Sequence, residues 1–129
     1  MNENESIELL LPCNAAYISA VRLTASSIAG RLKFAIDEIE DIKVAVSEAC
    51  IFIIRELSAS GKSEFKITFI LSKNMIEIML FCSAVIQRKA DDIGIHMIRA
   101  VVDHFEISLD QNDCTVLVMK KKRRTDLFI

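Results

Sequence analysis

The segment DEIEDIKVAVSEACIFIIREL, from Asp37 to Leu57, constrains this chain more than any other. Ile39, Ile42, Val46, Ala49, Ile53 and Leu57 return every three or four residues, which lays one apolar stripe along a helix. Asp37 reads as the cap of that helix, with Glu40 three residues on as its capping-box partner. Up to Cys50 the pattern is amphipathic. From Ile51 to Ile54 it is apolar all round, so both flanks should be covered, by protein or by a partner. Glu48 stands at the mouth of the apolar run, either as a helix-surface residue or as part of a chemical site.

The rest of the chain supplies what such a helix packs on. SIELLLP reads as a short strand that Pro12 ends, because proline has no N–H for a ladder. Asn14 is placed to cap the next helix, in which Ile18, Val21, Ala25, Ile28, Ala29 and Leu32 share a face. Arg22 lies between those positions, where it either covers the core with its stem or faces a partner. After the long helix, SASGKS breaks the pattern; it lacks the glycine-rich run of a phosphate loop and reads as a serine-rich turn. Phe65, Ile67, Phe69 and Leu71, then Ile76, Ile78 and Leu80, alternate as two strands joined at Lys73-Asn74. QRKADD is a polar connection. DIGIHMIRAVVDHF reads as a helix carrying Ile95, Ile98, Val102 and Phe105, and EISL, DQND and CTVLVMKKK make a closing hairpin. Strand, two helices, two strands, helix and two strands predict an α+β two-layer sandwich, with three helices on one face of a mixed, largely antiparallel sheet.

Composition narrows the function classes. At 129 residues and 52% hydrophobic content, one core is affordable and a second is not, so residues 1–129 read as a single domain. A net charge of −2 argues against a direct nucleic-acid binder. The basic run Lys120 to Arg124 reads as the solvated end of a strand, and 120–129 as a flexible basic end. Cys13, Cys50, Cys82 and Cys114 form no CxxC pair and sit among apolar neighbours, which suits buried free thiols in a reducing compartment. His96 and His104 have no ligand spacing and read as ordinary helix residues. No metal site is expected. An acidic start without a signal-peptide core, and no apolar window of about 20 residues, predict a cytoplasmic protein without a membrane span.

From Ser6 to Cys50 the sequence resembles the bacterial anti-sigma factor and serine-protein-kinase family of RsbW-like proteins, within the histidine kinase, gyrase and Hsp90-type ATPases. EDIKVAVSEAC is the most specific block; DDIGIHMIRAVVDHFEIS and the last strand carry the likeness more weakly. The resemblance implies a histidine-kinase-type ATPase sandwich and a partner-switching homodimer. It also implies binding of an alternative sigma factor and, with ATP and magnesium, phosphorylation of an anti-sigma-factor antagonist. Glu48 aligns with the family's general base, and Arg22 with an arginine of the partner-binding helix.

The nucleotide motifs depart from that pattern. The family continues SEAC with Thr and a magnesium-binding Asn, which stacks one turn from the glutamate. Here Ile51 and Phe52 stand there, and phenylalanine offers no oxygen to Mg²⁺. Cys82 aligns with the adenine-binding aspartate, and Ala84 and Ile86 with the glycines that follow. The lid is reduced to QRKADDIGI, with Asp92 and Gly94 at its glycine positions. Asp91 and Asp92 would satisfy the helix N-terminus themselves and repel a triphosphate. Magnesium, adenine and phosphate contacts are lost together, so Glu48 is expected to be vestigial and no cofactor is expected.

The expected function is an anti-sigma-like regulator acting by protein binding without kinase activity. Two alternatives stand beside it. One is an active serine-protein kinase with an atypical site for ATP and magnesium. The other is a structural partner that heterodimerises with an active paralogue, its Ile51–Ile54 run filling the vacated cavity or meeting that partner.

Overall fold

The computed structural model describes residues 4–60, 64–86 and 92–124. The GKS turn, most of the QRKADD connection including Asp91, and the last five residues lie outside them. The elements are β1 (Glu5–Pro12), a 3₁₀ turn (Ala15–Tyr17), α1 (Ile18–Arg31), α2 (Ile36–Ser60), β2 (Glu64–Leu71), β3 (Met75–Cys82), α3 (Ile93–Val101), β4 (His104–Leu109) and β5 (Thr115–Lys122).

The strands form one sheet in the order β1-β2-β3-β5-β4, and each of its four pairings is antiparallel. The expected sheet was largely antiparallel; among the described residues it is so throughout. Register follows from the period-two pattern, because a one-residue slip would turn every apolar side chain to the other face. Ile67 pairs with Leu80 and Leu80 with Leu117; Phe69 pairs with Ile78 and Ile78 with Met119. These residues are buried, and they share one core with Val21, Ala25 and Ile28 of α1, Ile42, Val46 and Ile53 of α2, and Ile95 and Ile98 of α3. All three helices therefore pack on the same sheet face.

Three local expectations change. α2 begins at Ile36, so Asp37 is not its cap. Ala35 has no side-chain acceptor, and Glu38 reaches back instead, its Oε1 accepting the Ala35 N–H at 2.8 Å. Glu40 pairs with Lys43 at 3.1 Å rather than closing a capping box. α3 ends at Val101. Val102 is extended (φ −118°, ψ 163°), and Phe105 belongs to β4, opposite Met119. The spacing of Ile98, Val102 and Phe105 mimics a helix, but the alternation of Phe105 and Ile107 against β5 prevails. His104 is accordingly a strand residue, bonded to Glu106 at 2.9 Å.

The turn between α1 and α2 places the helices side by side. Phe34 N–H bonds Ala29 O at 3.1 Å and Lys33 N–H bonds Gly30 O at 3.0 Å, with Lys33 left-handed at φ 67°. This is a Schellman closure made without glycine at the left-handed position, where a residue with a Cβ is strained.

Candidate functional site

α2 carries two faces at its middle, and different residues meet each. Toward α3 it presents Glu48, Phe52 and Arg55, spaced so that they lie along one side of the helix. Phe52 is 1% exposed and Ile53 is 0% exposed, whereas Ile51 is 42% exposed. The apolar run is thus buried by the chain itself on one side only, and at Ile51 the chain supplies no cover. The Arg55 guanidinium lies 5.6 Å from the centre of the Phe52 ring, a cation–π distance.

Arg55 reaches across to the start of α3. Its Nη2 pairs with Oδ2 of Asp92. The other oxygen, Oδ1, accepts the Ile95 N–H at 3.1 Å and caps α3. Both oxygens of Asp92 are therefore engaged by positive partners, one a cation and one a helix N-terminus. Gly94 lies buried in the first turn of α3, close against two carboxylates. A Cβ there would sit 2.8 Å from Glu48 Oε1 and 3.1 Å from Asp92 Oδ1. Glu48, Phe52, Asp92 and Gly94 are thus brought together, with Arg55 added.

Cys82, Ala84 and Ile86 follow the end of β3. Cys82 is 2% exposed and pairs in register with Thr115. Burial, with Cys114 nearby as a second cause, pushes its thiol up to about 11. Thr115 is fully buried and staples the segment after the strand: its Oγ1 donates to Ala84 O at 2.6 Å and accepts the Ile86 N–H at 3.1 Å. Ile86, 8% exposed, joins the core, and Ala84 packs against it. One cleft of about 280 Å³ touches Cys82, with Phe81, Lys66 and Cys114. Another of about 190 Å³ touches Ile86, Thr115 and Ile107.

On the opposite side of α2 stands Arg22. It is exposed on α1, and its Nη1 donates to Ser47 Oγ at 3.2 Å, while Ser47 Oγ donates to Lys43 O at 2.7 Å. The structure does not bring Arg22 into the Glu48 group; Ser47 and Glu48 are neighbours that leave the helix in different directions. The thiol of Cys50 lies beneath Arg22, and burial pushes it up to about 12, only partly offset by the guanidinium. Cys50 and Cys82 are buried free thiols as expected, while Cys13 and Cys114 are half-buried.

Three side chains here escaped sequence reasoning. Arg55 is three residues beyond Phe52 and seven beyond Glu48, a spacing that does place it on their face. Thr115 is opposite Cys82 only once register is known. Ser47 had no signal beyond its place beside Glu48.

The chemical fit to magnesium and a nucleoside triphosphate is poor. A buried phenyl ring supplies no ligand oxygen, a buried thiol is a weak hydrogen-bonding group, and the α3 N-terminus already holds a carboxylate. Among the described residues, no group of three His, Cys, Asp or Glu is placed to hold a metal ion. Nor is any described helix long and apolar enough to cross a membrane.

No family model matches the chain. Individual relatives do. The serine-protein kinase RsbW of Bacillus thuringiensis (strain Al Hakam) is 32% identical over 144 aligned positions, covering 96% of this chain and 89% of the relative. RsbW of Bacillus cereus (strain 03BB102) gives the same figures, and that of Bacillus anthracis (strain CDC 684 / NRRL 3495) is 31% identical over the same coverage. An alignment of 144 positions exceeds this chain's 129 residues, so the relatives carry residues that it lacks. The crystal structure of the RsbU and RsbW domains of Rv1364c from Mycobacterium tuberculosis superposes with a TM-score of 0.76 at 16% identity. It covers 97% of this chain and 34% of that one, a likeness of fold. With an RsbW-type sandwich and relatives above 30% identity along nearly its whole length, the chain belongs to the RsbW family of anti-sigma factors and serine-protein kinases.

Proposed function

We propose that this protein is an anti-sigma-factor-like regulator that works by binding other proteins and has no ATP-dependent kinase activity. The observation that supports this reading is how the chain's own side chains sit at the positions that the resemblance aligns with nucleotide motifs. Phe52 and Ile86 are in the core, and Asp92 at the head of α3 is neutralised by Arg55. Extra residues in the relatives also suit a shortened lid. The partner is an alternative sigma factor or an anti-sigma-factor antagonist, met through α1 with Arg22 in the contact. The protein acts in the cytoplasm as a homodimer, without direct contact to nucleic acid or membrane. Release of the partner then depends on competition rather than on phosphorylation.

Binding is tested by affinity capture from the native cytoplasm with mass spectrometry, comparing wild type with Arg22→Ala. A sigma factor or antagonist is expected with wild type and is lost or depleted with the variant. Identical partners from both proteins, with neither class present, would count against the proposal. A kinase reading is favoured by one observation, the half-buried Glu48 beside Gly94 in a chain whose relatives are named kinases. Transfer of labelled phosphate from ATP to a captured antagonist would establish it.

A further inference from the structure

We propose that Arg55 and Asp92 form an internal latch that fixes α3 on α2 without nucleotide, the pair standing in for an external anion at the helix N-terminus. The inference deepens the proposed function and rests on the reading that this chain does not use ATP.

The α3 N-terminus presents unpaired N–H groups and the positive end of a dipole, which attract an anion. Here the anion is internal. Asp92 has a side chain only 9% exposed, and such a carboxylate needs compensation for its lost hydration. It receives two forms, the Ile95 N–H at 3.1 Å and the Arg55 guanidinium. Arg55 is half exposed, but it does not hang free: it lies 5.6 Å over Phe52, whose ring is embedded in the core. A run of contacts therefore links core, Phe52, Arg55, Asp92 and the first turn of α3. Gly94 completes it by letting that turn settle against Glu48. The two charged residues are 37 apart in sequence, so the pair is a tertiary contact between two helices rather than a local one.

The test is hydrogen–deuterium exchange on the nucleotide-free full chain. Asp92→Asn removes the charge but keeps a good helix cap, so it isolates the ion pair. Arg55→Gln removes the other charge. Each single variant is expected to speed exchange of the α3 amides about fivefold, with β2 and β3 unchanged, and the double variant to be no faster than the faster single. Unchanged α3 exchange in both singles, or additive effects in the double, would overturn the latch. Should Arg55→Gln not fold, Arg55→Lys keeps a cation and a stem over Phe52. Its exchange is expected to fall between wild type and Asp92→Asn, and a rate equal to that of Asp92→Asn would overturn the latch. Calorimetry of wild type with ATP and magnesium reads the separate question, so failure of the latch and failure of the proposed function are told apart.

Discussion

Arg22 and Arg55 approach α2 from opposite sides, and their surroundings differ in kind. Arg22 is exposed and meets a neutral hydroxyl, Ser47 Oγ; among the described residues no carboxylate neutralises it. Arg55 meets the carboxylate of Asp92 and a buried ring. The first is a cation still available to an acidic or polar partner. The second is a cation already spent on the fold. The same helix thus has one side whose cation is left exposed and another side closed by its own residues.

The largest effects should come from breaking the closed side. Phe52→Asn introduces the residue type that the resemblance implies at this position, yet it removes a fully buried ring and buries an amide in its place. It should cost about 3–5 kcal/mol in urea unfolding. The adjacent Ile51→Thr, at an exposed position, should stay within about 0.5 kcal/mol. Equal effects for the two would deny the asymmetry of α2. On the open side, Arg22→Ala should weaken capture of a partner about tenfold while leaving the melting temperature unchanged. Arg55→Gln should do the reverse, loosening α3 with less effect on capture.

Smaller effects follow from the titrating groups. Cys50 and Cys82 have folded values raised to about 12 and about 11 from an ordinary 9.0. Above that ordinary value the unfolded chain loses protons that the folded chain retains, so stability falls as pH rises. Their contribution is intact below pH 9.0 and fades toward 11–12, and melting measured across that window should decline less steeply in Cys50→Ala. At the opposite end, hydrogen bonding to Arg124 holds the Asp37 carboxyl below its usual value. That stabilisation is present above pH 3.8 and is lost as the pH drops through the lowered value. Both groups are exposed, so Asp37→Asn should give the smallest change in melting temperature, and one that salt diminishes.

Much of this arrangement was legible in the sequence, because periodicity is a local signal. The stripe of α2, the alternation of β2 and β3, and the SEAC block each lie within one stretch of chain. Asn14 as a cap was legible in part: its side chain accepts the Ala16 N–H, but it caps the 3₁₀ turn Ala15–Tyr17, and α1 itself starts after Tyr17 without a side-chain cap. What was not legible depends on distant partners. Arg55 reads as a helix-surface charge until Asp92 is beside it, and Thr115 as a strand residue until register sets it under Ala84 and Ile86. The end of α3 was misplaced because Val102 and Phe105 satisfy helical spacing by coincidence, and only pairing with β5 decides the matter. Asp37 was taken for a cap because it is a good cap residue. The buried Glu38 does that work, since its carboxylate also receives the backbone N–H of Arg124 at 2.8 Å.

The central claim is that side chains of this protein occupy the place where its relatives' motifs would hold a nucleotide. Titration calorimetry of the wild-type chain with ATP and magnesium tests it most directly, with the RsbW kinase of Bacillus cereus run alongside as the binding control. The account predicts no measurable heat of binding under conditions in which the control saturates. Micromolar binding by this chain would contradict it.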